Sequence, residues 1–183
     1  MPVRKRANLF VTIFYFLIFI LIICDFLILP LYKFKSVAIK NILLVDDDAE
    51  DSEFFATVVQ RMDPAIRVTV ASNKEELFQH LQQDKPGIVF IDSFLQNESG
   101  HQSIQEIRAN PVFAELPVIM YTGATDTKSI TSAFEMGASS YIVKPHTLAE
   151  IKKVLQIILH IDWDVNSSPQ KQYYVNQQFH NLA

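Results

Sequence analysis

The sequence has a single cysteine, Cys24, so no intrachain disulfide can form and stability must come from packing. Glycine is scarce, with four residues in 183. The stretch that starts most like a phosphate-binding loop, Gly123-Ala124-Thr125-Asp126-Thr127-Lys128-Ser129, lacks its second glycine, so nucleotide binding is not supported. The five histidines show no metal-ligand spacing, and no internal repeat is present. Basic charge is also short where a nucleic-acid surface would need it. Residues 37–183 carry 11 basic and 19 acidic side chains, a net of −8, whereas phosphate backbones call for clustered Lys and Arg.

What is abundant is apolar sequence, 49% of the chain, and it is unevenly spread. An unbroken uncharged run extends from Ala7 to Cys24, and Phe26-Leu27-Ile28-Leu29 follows Asp25. Leu9–Leu29 is long enough to cross a bilayer. Arg4-Lys5-Arg6 precede it and Lys33 and Lys35 follow, an arrangement that opposes the positive-inside rule if the remainder faces the cytosol. No small-residue cleavage site marks a signal peptide. Two readings of residues 1–36 stand: a hydrophobic helix that anchors the protein, or a translation start that truly lies near Val37. The rest is expected to be cytoplasmic.

Beyond Lys40 the pattern alternates between strand and helix. Strand-like runs are Asn41–Val45, Ile66–Ala71, Gly87–Ile91, Pro117–Tyr121 and Ser140–Val143. Between and after them lie stretches with apolar spacing suited to one buried helical face, ending with Thr147–His160. Five β–α repeats predict an α/β fold, a five-stranded parallel doubly wound sheet. The boundaries expected are 1–36 for the hydrophobic helix, 37–161 for the folded domain and 162–183 for a polar C-terminal tail that folds back or stays partly disordered.

The strand ends carry the chemistry. Ile42-Leu43-Leu44-Val45 runs directly into Asp46-Asp47-Asp48, and Ile88-Val89-Phe90-Ile91 runs into Asp92. Thr122 and Gly123 follow the fourth strand; Lys144 and Pro145 follow the fifth. In open α/β sheets ligands bind at the carboxyl ends of the strands. Adjacent carboxylates there are unfavourable unless a cation compensates them. Taken singly each residue has an ordinary explanation: Asp48 as a helix cap, Thr122 as a strand-end cap, Tyr141 as packing, Lys144 as a surface charge. Together and in this order they point to one site.

These segments, with Gly137-Ala138-Ser139-Ser140-Tyr141-Ile142-Val143-Lys144-Pro145, resemble the receiver domain of two-component response regulators, in the single-domain, chemotaxis-regulator style. The resemblance spans residues 41–160. It implies a flavodoxin-like fold, Asp92 as phosphoacceptor, and Mg²⁺ held by Asp46, Asp47, Asp92 and the backbone carbonyl of Phe94. It further implies that Thr122 and Lys144 contact the phosphoryl group, that Tyr141 is an aromatic switch, and that Pro145 follows a cis peptide bond. The Thr122 hydroxyl is expected to gain a partner only when the phosphoryl arrives, and its shift to make room for Tyr141. The implied partners are a sensor histidine kinase or histidine phosphotransfer protein and an unidentified downstream protein. No nucleic acid is expected, and a membrane only through residues 9–29.

The residues fit these roles. A carboxylate can attack phosphorus to give an acyl phosphate, and Mg²⁺ favours one or two carboxylates with substrate oxygens. Three departures from the family pattern stand out: Phe94 where a smaller or polar residue is common, Gln96 in place of a proline, and a small Ala124. A bulky Phe94 is expected to shield the acyl phosphate from water. The function expected is a stand-alone, non-enzymatic phosphoacceptor that catalyses at most its own phosphotransfer and dephosphorylation. The alternative is a receiver-fold interaction module that works without phosphorylation. A hydrolase built on paired aspartates would need a cap domain, and none is inserted.

Overall fold

The computed structural model describes residues 39–95, 98–163, 172–175 and 178–181. The hydrophobic segment read at 1–36, its cysteine and Gln96 lie outside them. Among the described residues no helix is long and apolar enough to cross a membrane.

The strands are β1 (Asn41–Val45), β2 (Arg67–Ala71), β3 (Ile88–Ile91), β4 (Phe94–Leu95), β5 (Glu98–Ser99), β6 (Val118–Thr122), β7 (Ser140–Val143), β8 (Gln172–Val175) and β9 (Gln178–Asn181). The helices are α1 (Ala49–Met62), α2 (Lys74–Asp84), α3 (Gly100–Ala109), α4 (Thr127–Glu135) and α5 (Leu148–Ile158). The main sheet has the order β2-β1-β3-β6-β7-β8-β9. Its first five members pair in parallel, so the predicted doubly wound sheet is present.

Both faces of this sheet are buried because every central strand is apolar at odd and even positions. Leu43 and Val45 of β1 pack with Leu77, Ile104, Ile107 and Phe134, beneath α2, α3 and α4. Ile42 and Leu44 pack with Phe55, Val59, Ile151 and Leu155, beneath α1 and α5. Asp48 caps α1 as its position suggests, its Oδ1 accepting from the backbone N–H groups of Glu50 and Asp51. Asn73, Asp126 and Thr147 cap α2, α4 and α5 in the same way. Each cap satisfies backbone donors that a helix start leaves without partners.

The described part of the tail folds back on the sheet, one of the two outcomes expected. β8 adds to β7 in parallel, with Tyr141 opposite Tyr173, and β9 returns antiparallel to β8. Without them β7 would present a row of unpaired backbone groups. A second, smaller pairing, β4 with β5, folds the loop after Asp92 into a two-stranded ribbon.

At the amino ends of β6 and β7, Arg108 from α3 gathers the connecting segments. Its Nε donates to the Gly137 carbonyl at 2.8 Å, and its Nη1 reaches the carbonyls of Ala114 at 3.1 Å and Leu116 at 2.8 Å. Its Nη2 donates to Ser139 Oγ at 3.1 Å. Gly137, at φ 99, closes α4 in a conformation that favours glycine.

Candidate functional site at the carboxyl edge of the sheet

The strand register delivers the predicted residues to one edge. The Asp46 N–H donates to the Ala71 carbonyl, that of Asp92 to the Val45 carbonyl, and that of Lys144 to the Thr122 carbonyl. The backbone just beyond each strand is therefore still held by its neighbour, and the side chains converge.

Lys144 is the centre. Its Nζ lies 2.8 Å from Asp46 Oδ2, 2.7 Å from Asp92 Oδ2 and 2.8 Å from Asp51 Oδ2. It also stands over the Tyr121 ring, 5.8 Å from the centroid. That ring is braced edge-on by Phe55 and Phe90, at 5.4 and 5.9 Å between centroids. Burial opposes the charge on Lys144, but the three carboxylates outweigh it and hold its pKa above that of an ordinary lysine.

Asp46 is buried, with its side chain 1% exposed, and burial raises its pKa despite the pull of Lys144. One of its oxygens accepts from the Asp48 N–H at 3.1 Å. The other, Oδ2, is close to Lys144 yet makes no aligned hydrogen bond. A buried carboxylate oxygen left in that state fits a site built to take a cation. Asp47 follows at the exposed rim.

Asp92 is half-buried, and its second oxygen is held by neighbouring backbone and hydroxyl. Oδ1 accepts from the Phe94 N–H and from Ser93 Oγ, each at 3.3 Å. Ser93 Oγ lies 2.6 Å from Thr122 Oγ1. Thr122 was expected to have no partner before a phosphoryl group arrived. It already has one, because a buried hydroxyl left unpaired costs roughly 1–3 kcal/mol and Ser93 is the buried group within reach.

Tyr141 is fully buried, and its hydroxyl donates to the Ala124 carbonyl at 2.9 Å. Burial, with the charges of Asp126 and Asp92, pushes its pKa up to about 12. The ring thus already occupies the inward position that the switch reading had made dependent on a Thr122 shift. Phe94, by contrast, is 76% exposed, with only its backbone on the Asp92 carboxylate. The expected cis turn at Pro145 is corrected: no described peptide bond is cis. Trans is the favoured X–Pro isomer by about 0.5–1 kcal/mol, and Lys144 reaches all three carboxylates with the bond trans.

Three contributors were not singled out from the sequence: Asp51, Ser93 and Gly100. A Cβ on Gly100 would fall 1.9 Å from the Asp92 carbonyl oxygen, so only glycine lets α3 approach the Asp92 backbone.

A parallel α/β sheet whose carboxyl edge gathers acidic side chains, a buried hydroxyl and an ammonium has the arrangement of a receiver domain. The chain belongs to the response regulator receiver domain family, whose pattern matches residues 42–156. It is 29% identical over 116 residues to the probable C4-dicarboxylate response regulator DctR of Priestia megaterium, covering 63% of this chain and 50% of that protein. It is 31% identical over 121 residues to the transcriptional regulatory protein GltR of Pseudomonas aeruginosa, covering 64% of this chain and 49% of that one. The chain therefore spans about half the length of the curated relatives it matches. Among solved structures, the chemotaxis response regulator CheY4 of Vibrio cholerae superimposes with a TM-score of 0.59 at 21% identity, over 66% of this chain and 98% of that one. The Mn(2+)-bound form of response regulator Rcp1 gives 0.60 at 20% identity, over 66% and 95%. At such identities these two structures speak to the fold alone.

Proposed function

We propose that this receiver accepts a phosphoryl group on Asp92 from a histidine kinase or a histidine phosphotransfer protein and signals through protein–protein contacts. One observation carries the reading: Lys144 Nζ bridges Asp46 and Asp92 at 2.8 and 2.7 Å, so a nucleophile, a cation-ready carboxylate and a fixed positive charge share one pocket. An Asp92 oxygen attacks phosphorus, the bond to the donor's imidazole nitrogen breaks, and an acyl phosphate forms. Lys144 offsets the charge on the transferring oxygens. Thr122 exchanges its Ser93 partner for a phosphoryl oxygen, and the Tyr141–Ala124 hydrogen bond couples that exchange to the loop before α4.

Asp46, Asp47, Asp92 and the Phe94 carbonyl are the groups that would hold Mg²⁺, and the metal would supply neutralising charge for the incoming phosphoryl oxygens. The buried Asp46 Oδ2, which has no aligned hydrogen bond and only the Lys144 ammonium beside it, supports that assignment.

The test is incubation with Mg²⁺ and acetyl phosphate, read by intact mass. The wild type is expected to gain one phosphoryl group and Asp92→Ala none. No gain on the wild type, or an equal gain on Asp92→Ala, defeats the proposal and leaves a phosphorylation-independent interaction module.

A further inference from the structure

Lys144 has more carboxylates than phosphotransfer needs. An ammonium offers three N–H donors and no acceptor. Asp46, Asp51 and Asp92 place three carboxylate oxygens within 2.8 Å of it, so an incoming anion must compete with three that are already there. The three are not equivalent. Asp46 is buried at the end of β1, and Asp92 is the group to be acylated. Asp51 lies in the first turn of α1 with its side chain 48% exposed. Its N–H is fixed by the Asp48 cap at 3.2 Å, and its Oδ2 takes the aligned hydrogen bond from Lys144 at 2.8 Å.

A half-exposed carboxylate surrenders an ion pair at the least cost, because water resolvates it at once. There is also room for it to move. A cavity of about 270 Å³ opens beside Lys144, with Asp51, Tyr121 and His146 on its walls. At Gly123, on the same wall, a Cβ would meet nothing within 4 Å.

We infer that Asp51 is a positioning residue, a competing counter-anion from which Lys144 must be released before it can grip an incoming phosphoryl group. The inference rests on the reading of Asp92 as acceptor and adds a gate to it. Removing the Asp51 charge then has two effects of opposite sign. Lys144 settles more firmly on Asp46 and Asp92, and the pocket becomes less negative, so a divalent cation binds more weakly. A phosphoryl-like anion meets a free donor and one negative charge fewer, so it binds more tightly.

The experiment compares the full wild-type chain with Asp51→Asn and Asp51→Glu. Mg²⁺ alone is titrated calorimetrically, and beryllofluoride, a phosphoryl mimic, is then titrated at saturating Mg²⁺. Asp51→Asn is expected to bind Mg²⁺ about threefold more weakly and beryllofluoride about three- to fivefold more tightly, the scale of a partly screened ion pair. Asp51→Glu is expected to return both toward wild type. A structural lesion would weaken both ligands together, and that result, or unchanged affinities, overturns the role of Asp51 alone. A wild-type protein that binds no beryllofluoride removes the Asp92 reading and this inference with it.

Discussion

Two cations stand at opposite ends of the same sheet, held by different kinds of oxygen. At the carboxyl end Lys144 is ringed by three carboxylates. At the amino end Arg108 is ringed by main-chain carbonyls and one hydroxyl. A carbonyl cannot be exchanged for a metal or a phosphoryl group without unfolding the loop that carries it. A carboxylate can, because its charge is what a metal seeks and a phosphoryl replaces. The planar, always-charged guanidinium suits the permanent clasp, and the compact ammonium suits the exchangeable one.

The sharpest way to break this comparison is Arg108→Ala. It strips several carbonyls of their donor at once and is expected to lower unfolding stability by about 3 kcal/mol, with no recovery on adding Mg²⁺. A urea midpoint that barely moves would mean water replaces the guanidinium freely and the clasp is not structural. Next is Gly100→Ala, which alters no charge but drives a methyl group into the Asp92 carbonyl. Overpacking of that kind is expected to cost about 2 kcal/mol, with slower phosphorylation by acetyl phosphate in the surviving folded protein.

Lys144→Met tests the exchangeable end. It leaves its three carboxylates uncompensated, so the variant is expected to melt below wild type in chelator and to recover when Mg²⁺ is added. Mg²⁺ itself is expected to bind about tenfold more tightly, since its competitor is gone. A calorimetric titration showing weaker binding would contradict the exchange. Smallest is Tyr141→Phe, which loses one hydrogen bond, about 1 kcal/mol. The folded phenol keeps its proton to about 12, against an ordinary value of 10.0. Its contribution is therefore complete below pH 10.0 and is lost as pH rises from there toward 12. Thermal melts across that window are expected to fall less steeply for Tyr141→Phe than for wild type. Separately, Phe94→Asn is expected to speed loss of the acyl phosphate about twofold, a modest change for a ring that stands mostly in water. An unchanged phosphoprotein lifetime would end the shielding idea.

The alternating pattern made the five-stranded sheet legible, and strand ends made Asp46, Asp92, Thr122 and Lys144 legible, because a parallel sheet sends every strand's last residue to one edge. Asp51 and Ser93 were not legible in that way. Their importance comes from which group faces them across the site, and spacing along one segment does not carry that information. Arg108 was hidden for the same reason, since its partners come from the far ends of two other strands. The tail's folding back on the body was expected, but its strands were not legible: a polar Gln, Asn and Tyr stretch lacks the apolar run of a buried strand, whereas an edge position asks only for backbone pairing.

That tail has a consequence for how the molecule meets its own kind. An open strand invites another chain to extend the sheet, and repetition of that step leads to fibres. Here β8 occupies the flank of β7 in cis, and the growing edge passes to β9, a short stretch of Gln, Phe, His and Asn. Loss of β8 and β9 would bare the Ser-Tyr-Ile-Val edge of β7 and offer another chain the backbone pairing that they now supply.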